Sequence, residues 1–255
     1  MLALMFPPSL GHIAASARAD LLTRWFSRYI GVSVDIQVAR SYESLRRSIE
    51  SGMVDLAWAP PIVCAAVQSS SLAILKAVRG GRSMYRGALV ARRGEARTLG
   101  EMQGYHAAWV DRLSSAGYLL PMSLLRDAGH DPDLLLRTQD FVGSYGRALR
   151  ALLDHDVDVA PIYVRDDQNT SAHDTLVELV GEPDRLQTVE FTAEAPSDGL
   201  VVVERPQQEG IHEVLEQLRT LTSGGQHTML LTILDAEALE VAKSDDYDAL
   251  RRAVD

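Results

Sequence analysis

The sequence contains one helix–strand pattern twice, and this repetition limits the folds open to the chain. SYESLRRSIESGMVDLA at 41–57 and SYGRALRALLDHDVDVA at 144–160 align without a gap. Each copy places a tyrosine, Tyr42 or Tyr145, at the start of an amphipathic helical pattern, and each ends in Val-Asp-(Leu/Val)-Ala entering a strand-like run. Either helix–strand units simply resemble one another here, or the chain has two lobes of similar plan that offer the same junction to a shared cleft.

Strand-like and helix-like segments alternate along the whole chain. The strand-like runs are LALMF, VSVDIQVA, MVDLAWA, RGALVARR, HAAWV, LLLRTQ, VDVAPIYV, TVEFTA and GLVVVER. Helical spacing of apolar residues predicts helices over about 13–29, 42–51, 116–127, 145–153 and 208–222, with shorter helical pieces to the end. The PP that follows MVDLAWA is interpreted as a break. This alternation predicts an α/β fold with largely parallel sheets.

The charge balance excludes two classes of partner. The chain carries 25 Lys and Arg against 35 Asp and Glu, a formal net charge of −10. Nucleic acids and anionic membrane surfaces attract basic proteins, so we expect neither as a partner. A small anionic ligand is not excluded, because it responds to local dipoles more than to the summed charge.

Membrane and compartment signals are weak in this sequence. No run of about 18 apolar residues is present, so no transmembrane segment is predicted. MLALMFPPSLGH lacks the charged start and the long apolar run of a secretory signal. We therefore expect a periplasmic protein if a leader has been trimmed, and a cytoplasmic one if Met1 is the native start. Cys64 is the only cysteine, and its apolar neighbours in PPIVCAAV predict a buried, unreactive thiol.

The loop DRLSSAGYLLP, at 111–121, joins the run HAAWV to a predicted helix. The first N–H groups of a helix are unpaired, and the helix dipole adds about half a positive charge there. Ser114 and Ser115 add hydroxyl donors, while Ala116 and Gly117 leave room for a ligand to approach the backbone. These features predict a site for a tetrahedral oxyanion. Serine is also a good N-cap, so helix capping alone is the alternative interpretation.

Catalytic and cofactor motifs are absent from the sequence. There is no G-x-S-x-G nucleophile motif, no G-x-x-x-x-G-K-[ST] phosphate loop and no G-x-G-x-x-G after a strand. The seven histidines are scattered without metal-ligand spacing. We therefore expect no catalytic residues, no metal and no cofactor.

Several stretches, in their order along the chain, resemble one protein family. They are SYESLRRSIESGMVDLAWAPP, MYRGALVARR, AWVDRLSSAGYLLPMSLLRDAGHDPD, EAPSDGLVVVER and the closing DDYDALR. Over essentially its whole length the sequence resembles the phosphate/phosphite/phosphonate-type substrate-binding proteins of ABC importers. AWVDRLSSAGYLLP is the most specific part of this resemblance.

The resemblance implies a two-lobed periplasmic-binding-protein-like fold of type II. Each lobe would be a mixed, mostly parallel sheet flanked by helices, and two crossover strands would join the lobes. Lobe one would comprise residues 1–86 plus 196–255 and lobe two residues 87–195, with the ligand in the cleft between them.

The resemblance also implies which residues contact the ligand: Tyr42, Tyr85, Ser114, Ser115, Ala116, Tyr145 and Asp198. In such relatives the phosphonate or phosphate oxygens lie on the Ser/Thr-rich helix N-terminus, and an aspartate at the position of Asp198 faces the ammonium of aminophosphonates. Two positions depart from the family pattern. Ala116 supplies only its backbone N–H where relatives commonly have Ser or Thr, and Tyr145 stands where they commonly have a histidine. We hypothesise that Arg86 or Arg112 supplies the cation that this histidine no longer offers.

The sequence thus predicts a non-catalytic solute-binding protein. It would capture a small anion of the phosphonate, phosphite or phosphate class between two closing lobes for ABC-type import, with ABC permease subunits as partners. Two alternatives share the same fold. One is an enzyme like those of the menaquinone pathway, which also need no cofactor, and the other is a cytoplasmic ligand-sensing module.

Overall fold

The chain forms two compact units. The computed structural model describes residues 1–7, 12–204, 210–223, 232–248 and 250–251. One unit comprises Met1–Ser83 and Pro196–Asp248, and the other comprises Met84–Ala195 and Ala249–Asp255. The first unit is therefore built from two separate stretches of sequence. No helix among the described residues is both long enough and apolar enough to span a membrane.

Strands and helices alternate through most of the described chain. The strands are β1 (Leu2–Phe6), β2 (Val34–Val38), β3 (Leu56–Ala59), β4 (Ala73–Val78), β5 (Met84–Arg92), β6 (Tyr105–Trp109), β7 (Leu136–Phe141), β8 (Val159–Val164), β9 (Leu186–Pro196), β10 (Gly199–Val202) and β11 (Ala238–Val241). The helices are α1 (His12–Tyr29), α2 (Tyr42–Glu50), α3 (Pro61–Val67), α4 (Leu120–Asp127), α5 (Pro132–Leu135), α6 (Tyr145–Leu153), α7 (Asn169–Val180) and α8 (Ile211–Ser223). A π-helical turn, Ser115–Leu119, precedes α4.

Among the described residues, the first unit forms a six-stranded sheet in the order β11-β4-β10-β3-β1-β2. β1 is parallel to β2 and β3, whereas β10 lies antiparallel between β3 and β4, and β11 is antiparallel to β4. Every residue of β3 and β10 is buried. Trp25 and Phe26 of α1 contribute to the core of this unit, with their ring centroids 5.2 Å apart in an edge-to-face contact.

The second unit, as far as it is described, forms a five-stranded sheet in the order β7-β6-β8-β5-β9. β6 is parallel to β7 and β8, and β5 is antiparallel to β8. Apolar side chains cover both faces of this sheet. Neighbouring residues of β8 belong to different clusters, Val159 with Trp109 and Met122, and Ala160 with Leu149. This follows from the alternation of side chains along a strand.

The repeated sequence pattern forms the same junction in both units. In the first unit the Asp55 carboxylate accepts a hydrogen bond from the Ala3 N–H (2.6 Å), and the Asp55 N–H donates to the Ala3 carbonyl (2.9 Å). In the second, the Asp158 carboxylate accepts from the His106 N–H (2.9 Å), and the Asp158 N–H donates to the His106 carbonyl (2.8 Å). Each aspartate thus fastens the start of one strand to its parallel neighbour, β3 to β1 and β8 to β6. The strand orders β2-β1-β3-β10-β4 and β7-β6-β8-β5-β9 follow one plan.

Two mixed sheets flanked by helices confirm the predicted fold class, with more antiparallel pairing than expected in the first sheet. The PP interpreted as a break instead begins α3 with Pro61 at its first position. Proline fits there because the N–H it lacks has no helical partner at that position. The predicted start of the last long helix at Gln208 lies outside the described residues. The tail predicted as helical contains β11, and β4, α5 and α7 were not predicted.

Candidate functional site

The loop after β6 turns into a π-helical segment that is capped by its own serine. The Ser114 N–H donates to the Asp111 carbonyl (3.0 Å), and the Ser114 Oγ accepts from the Gly117 N–H (3.2 Å). The Asp111 carboxylate accepts from the Leu113 N–H (2.8 Å). The loop is therefore held by local hydrogen bonds before the helix begins.

Pro121 follows the π-helical turn and leaves one of its carbonyls without a helical donor. Proline has no N–H, so Gly117, four residues earlier, has no helical donor for its carbonyl. That carbonyl instead accepts from the Val110 N–H (3.2 Å), while the Leu119 N–H bonds back five residues to the Ser114 carbonyl (3.0 Å). The predicted helix over about 116–127 is thus a π turn followed by α4, and Pro121 does not kink a continuous helix.

Two backbone N–H groups and one hydroxyl of this turn have no hydrogen-bond partner among the described residues. The N–H groups of Ser115 and Ala116 bond to no group in the described part of the chain. The Ser115 Oγ is buried and also without a hydrogen-bond partner in the described residues. Ser115 is 5% exposed and Ala116 1%, while Ser114 is half-buried. A buried polar group without a partner is rare in folded proteins and calls for an explanation such as a ligand or a water molecule.

The structure corrects two expectations about this turn. The N–H groups of Ser114 and Gly117 are occupied, so the free backbone donors are those of Ser115 and Ala116 alone among residues 114–117. Gly117 was expected to leave room for a ligand. A Cβ on Gly117 would instead collide with the Ser114 Oγ and with the Val110 Cβ, the latter at 2.7 Å. The glycine therefore makes room for the protein's own capping serine.

Tyr85 lies on the strand that packs against this turn. Gly87 of β5 approaches so closely that an added Cβ would lie 3.1 Å from the Ala116 carbonyl oxygen. The Gly87 N–H donates to the buried Thr192 Oγ1 (2.8 Å), which fixes the strand at this point. Side chains two residues apart on a strand share a face, so Tyr85 lies on the face of β5 that meets Ala116.

Tyr145 begins α6 beside the same loop. Ser144 caps α6 by accepting from the Arg147 N–H (3.3 Å), and the Gly143 N–H donates to the Val110 carbonyl (2.9 Å). The ends of β6 and β7, and the helices that follow them, are therefore adjacent. The Tyr145 ring lies edge to face with the Tyr163 ring, with centroids 5.3 Å apart.

The two arginines hypothesised to replace a histidine already have other contacts. The Arg86 guanidinium donates to the Thr192 carbonyl (2.7 Å) and lies 3.7 Å from Glu194 and 3.8 Å from Asp167. The Arg112 guanidinium lies over the Phe141 ring, 4.5 Å from its centroid. The Arg86 Nε, however, is buried and has no hydrogen-bond partner among the described residues.

Tyr42 and Asp198 belong to the first unit. Tyr42 begins α2 behind a capping box formed by Ser41 and Ser44. The Asp198 carboxylate lies 3.2 Å from the Arg79 guanidinium, and the two side chains are 36% and 33% exposed. Partial burial raises the pKa of Asp198 above its ordinary value, although Arg79 acts in the opposite direction. Arg79 was not singled out in the sequence, where an arginine before Gly-Gly gives no sign of a partner 119 residues away.

The structure brings five of the seven expected ligand contacts into one unit. Ser114, Ser115 and Ala116 form the turn, and Tyr85 and Tyr145 lie on elements beside it. Elsewhere, burial raises the pKa of the Cys64 thiol to about 12. Its full burial agrees with the predicted unreactive cysteine. Across the described residues, no three His, Cys, Asp or Glu side chains are grouped as a metal ion would require.

Solved structures share this fold at low sequence identity. The fold is similar to that of a binding protein component of an ABC phosphonate transporter (PA3383) from Pseudomonas aeruginosa, with a TM-score of 0.75, 17% identity, and coverage of 99% of this chain and 85% of that chain. It is also similar to PhnD1 from Prochlorococcus marinus (MIT 9301) in complex with methylphosphonate, with a TM-score of 0.76, 16% identity, and coverage of 99% and 96%. XAC2383 from Xanthomonas citri bound to chloride ion gives a TM-score of 0.80 at 18% identity, with coverage of 99% and 95%. These likenesses confirm the predicted periplasmic-binding-protein-like fold.

The sequence itself matches one family model. No curated protein matches the chain at a significant level. The family model described as "ABC transporter, phosphonate, periplasmic substrate-binding protein" matches residues 4–247. Because this match spans nearly the whole chain, the protein belongs to the phosphonate family of periplasmic substrate-binding proteins of ABC transporters, a family of solute-binding proteins and not of enzymes.

Proposed function

We propose that the protein binds a small tetrahedral oxyanion of the phosphonate, phosphite or phosphate class at the π-helical turn. The donors are the N–H groups of Ser115 and Ala116 and the hydroxyls of Ser114 and Ser115. The Ser114 Oγ already accepts from the Gly117 N–H, so its own hydrogen is directed elsewhere and is available to a ligand oxygen. The observation that carries the proposal is the buried Ser115 hydroxyl without a partner in the described residues, beside two backbone N–H groups in the same condition.

The energetics of these donors support an anionic ligand. Leaving a buried donor without a partner costs about 1–3 kcal/mol, and hydrogen bonds to a charged group contribute about 1.5–3 kcal/mol each. An oxyanion at the turn removes the first cost and gains the second. The dipole of the helix adds to this attraction at its N-terminal end.

The rest of the proposed site uses phenols and one carboxylate. Tyr145 contributes a phenol donor from lobe two (87–195), and Tyr85 contributes one from the crossover strand β5. Tyr42 and Asp198 contribute from the rest of lobe one (1–86 plus 196–255). Binding of the ligand to both lobes favours a closed form, which ABC permease subunits then recognise for import. Tyr145 donates one hydrogen bond but cannot become a cation near neutral pH, so the proposed site binds its anion without a titrating histidine.

A thermal-shift and calorimetry screen tests the ligand class. The panel contains phosphate, phosphite, methylphosphonate, 2-aminoethylphosphonate and succinate. A ligand at 100 times its dissociation constant adds about 2.7 kcal/mol to the free energy of unfolding. We expect at least one phosphorus oxyanion to do so. A shift with succinate and with no phosphorus compound would contradict the proposal.

A further inference from the structure

Arg79 lies in a turn whose backbone is fixed by several hydrogen bonds. Residues Arg79 and Arg82 exchange backbone hydrogen bonds of 2.8 and 3.1 Å. Between them, the N–H groups of Gly80 and Gly81 both donate to the Glu237 carboxylate, at 2.9 and 3.0 Å. These two hydrogen bonds lower the pKa of Glu237, which keeps the carboxylate ionised and the turn fastened. The backbone of the turn that carries Arg79 is therefore held by hydrogen bonds that do not involve the Arg79 guanidinium.

The guanidinium of Arg79 contacts two aspartates from different parts of the first unit. Its Nε donates to the Asp235 carbonyl (2.6 Å) and lies 3.7 Å from the Asp235 carboxylate, and its Nη2 donates to the Asp198 Oδ2 (3.2 Å). The Asp235 side chain is 86% exposed, so water screens its pairing with Arg79 more than that of Asp198. Asp198 is itself fixed, because its carbonyl accepts from the Ala77 N–H (2.8 Å). Both ends of the Arg79–Asp198 pair are thus anchored through the backbone, unlike a surface ion pair between two long mobile side chains.

Three acidic side chains in the loops that follow β6 and β8 also have partners. In the loops that follow β6 and β8, Asp111 accepts from the Leu113 N–H (2.8 Å) and Asp166 accepts from the Gln168 N–H (3.1 Å). Asp167 lies 3.8 Å from the Arg86 guanidinium. A ligand ammonium at Asp167 would therefore meet the Arg86 guanidinium, whereas Asp111 and Asp166 keep further acceptor lone pairs beside the one N–H that each accepts.

We propose that Arg79 is the built-in counter-ion of Asp198, and that it selects ligands whose oxyanion head carries no ammonium group, such as simple alkylphosphonates. This inference rests on the proposed function. An ammonium near Asp198 is attracted by the carboxylate and repelled by the guanidinium, so it gains little from the pair and loses its hydration. Arg79 is in this sense a specificity-determining residue that acts against the competing ligand rather than for the preferred one.

The test compares two phosphonates of similar length, propylphosphonate and 2-aminoethylphosphonate, by isothermal titration calorimetry. We expect wild-type protein to bind propylphosphonate at least as tightly as the amine. Arg79→Gln should shift the affinity ratio about tenfold towards the amine, equivalent to about 1.4 kcal/mol. Arg82→Gln removes one positive charge from the same turn and should leave the ratio unchanged. Asp198→Asn, introduced together with Arg79→Gln, should abolish the gain.

The outcomes separate this inference from the proposed function. If neither phosphonate binds to the wild-type protein and no other phosphorus oxyanion does, the proposed function fails and this inference fails with it. If both phosphonates bind and the wild type prefers the amine tenfold or more, only the role of Arg79 is overturned. Should Arg79→Gln not fold, the wild-type ratio and Asp198→Asn alone still decide. Loss of amine binding in Asp198→Asn, with propylphosphonate binding intact, would show that Asp198 already serves an ammonium and would overturn the inference.

Discussion

Replacing Ser115 by alanine should have opposite effects on stability and on ligand binding. The Ser115 hydroxyl is buried without a partner in the described residues, and such a group costs about 1–3 kcal/mol. Ser115→Ala removes this cost, so the ligand-free protein should gain about 1 kcal/mol, or about 2–4 °C in Tm for a chain of this size. The same change deletes one proposed hydrogen bond to a charged ligand. Affinity should therefore fall by about 1.5–3 kcal/mol, which corresponds to about 10–150-fold.

The neighbouring serine provides the matched control. Ser114 caps the turn by accepting from the Gly117 N–H, so Ser114→Ala should destabilise the ligand-free protein by about 1 kcal/mol, the usual cost of losing an N-cap. Both variants should weaken methylphosphonate binding. The measurements are urea unfolding followed by circular dichroism without ligand, and calorimetric titration with methylphosphonate. If Ser115→Ala destabilises the protein as Ser114→Ala does and leaves the affinity unchanged, the Ser115 hydroxyl is a structural group and the reasoning is wrong.

Three further predictions concern packing, a buried ion pair and the single thiol. Gly117→Ala places a Cβ 2.7 Å from the Val110 Cβ and should lower the free energy of unfolding by about 1–3 kcal/mol. Urea titration measures this effect, and an unchanged midpoint of unfolding would show that the turn can shift to make room. Asp246→Asn removes the carboxylate that lies 2.6 Å from the buried Lys76 Nζ and should cost about 3 kcal/mol. Burial acts to raise the pKa of Asp246, but the hydrogen bond from Lys76 and its other partners outweigh it and the pKa is lowered. Asp246 should therefore make its full contribution to the free energy of unfolding above the ordinary aspartate pKa, and this contribution should be lost as the pH falls through the lowered pKa. Unfolding measured at a series of acidic pH values should then depend less on pH in Asp246→Asn than in the wild type. The Cys64 thiol, with its pKa raised to about 12 by burial, should react with a thiol reagent only after denaturant is added, and rapid labelling of the native protein would contradict its burial.

Local sequence signals were sufficient for the helices that begin at Tyr42 and Tyr145. Each has a serine N-cap directly before it and apolar residues at helical spacing, so the information lies within a few residues. The helix that begins at Pro61 gave no such signal, because its sequence, PIVCAAV, has no hydrophilic side chain and therefore no polar face to mark the helical period. The strand Ala238–Val241 was missed for a different reason. Its hydrogen-bonding partner, β4, lies far away in the sequence, so no local pattern marks the pairing.

The residues of the candidate site were named from the sequence and remain a prediction, whereas the hydrogen bonds of its turn could not be predicted. Both Ser114 and Ser115 were expected to be donors to a ligand. Which serine caps the turn and which is left without a partner depends on the π-helical geometry of the turn. The pairing of Arg79 with Asp198 joins residues 119 positions apart, and no local pattern marks it. The family resemblance indicated which residues to expect in the site, but the hydrogen bonds and ion pairs that these residues make are visible only in the structure.

The placement of β10 has a consequence for biosynthesis. This strand is hydrogen-bonded on both sides, to β3 and to β4, yet it is translated after all strands of the other sheet. When the ribosome has just completed residues 84–196, the other sheet has all of its described strands, whereas the nascent β3 and β4 still lack the strand that lies between them. A release of the chain before Gly199 would therefore leave a gap in the middle of one sheet and spare the other.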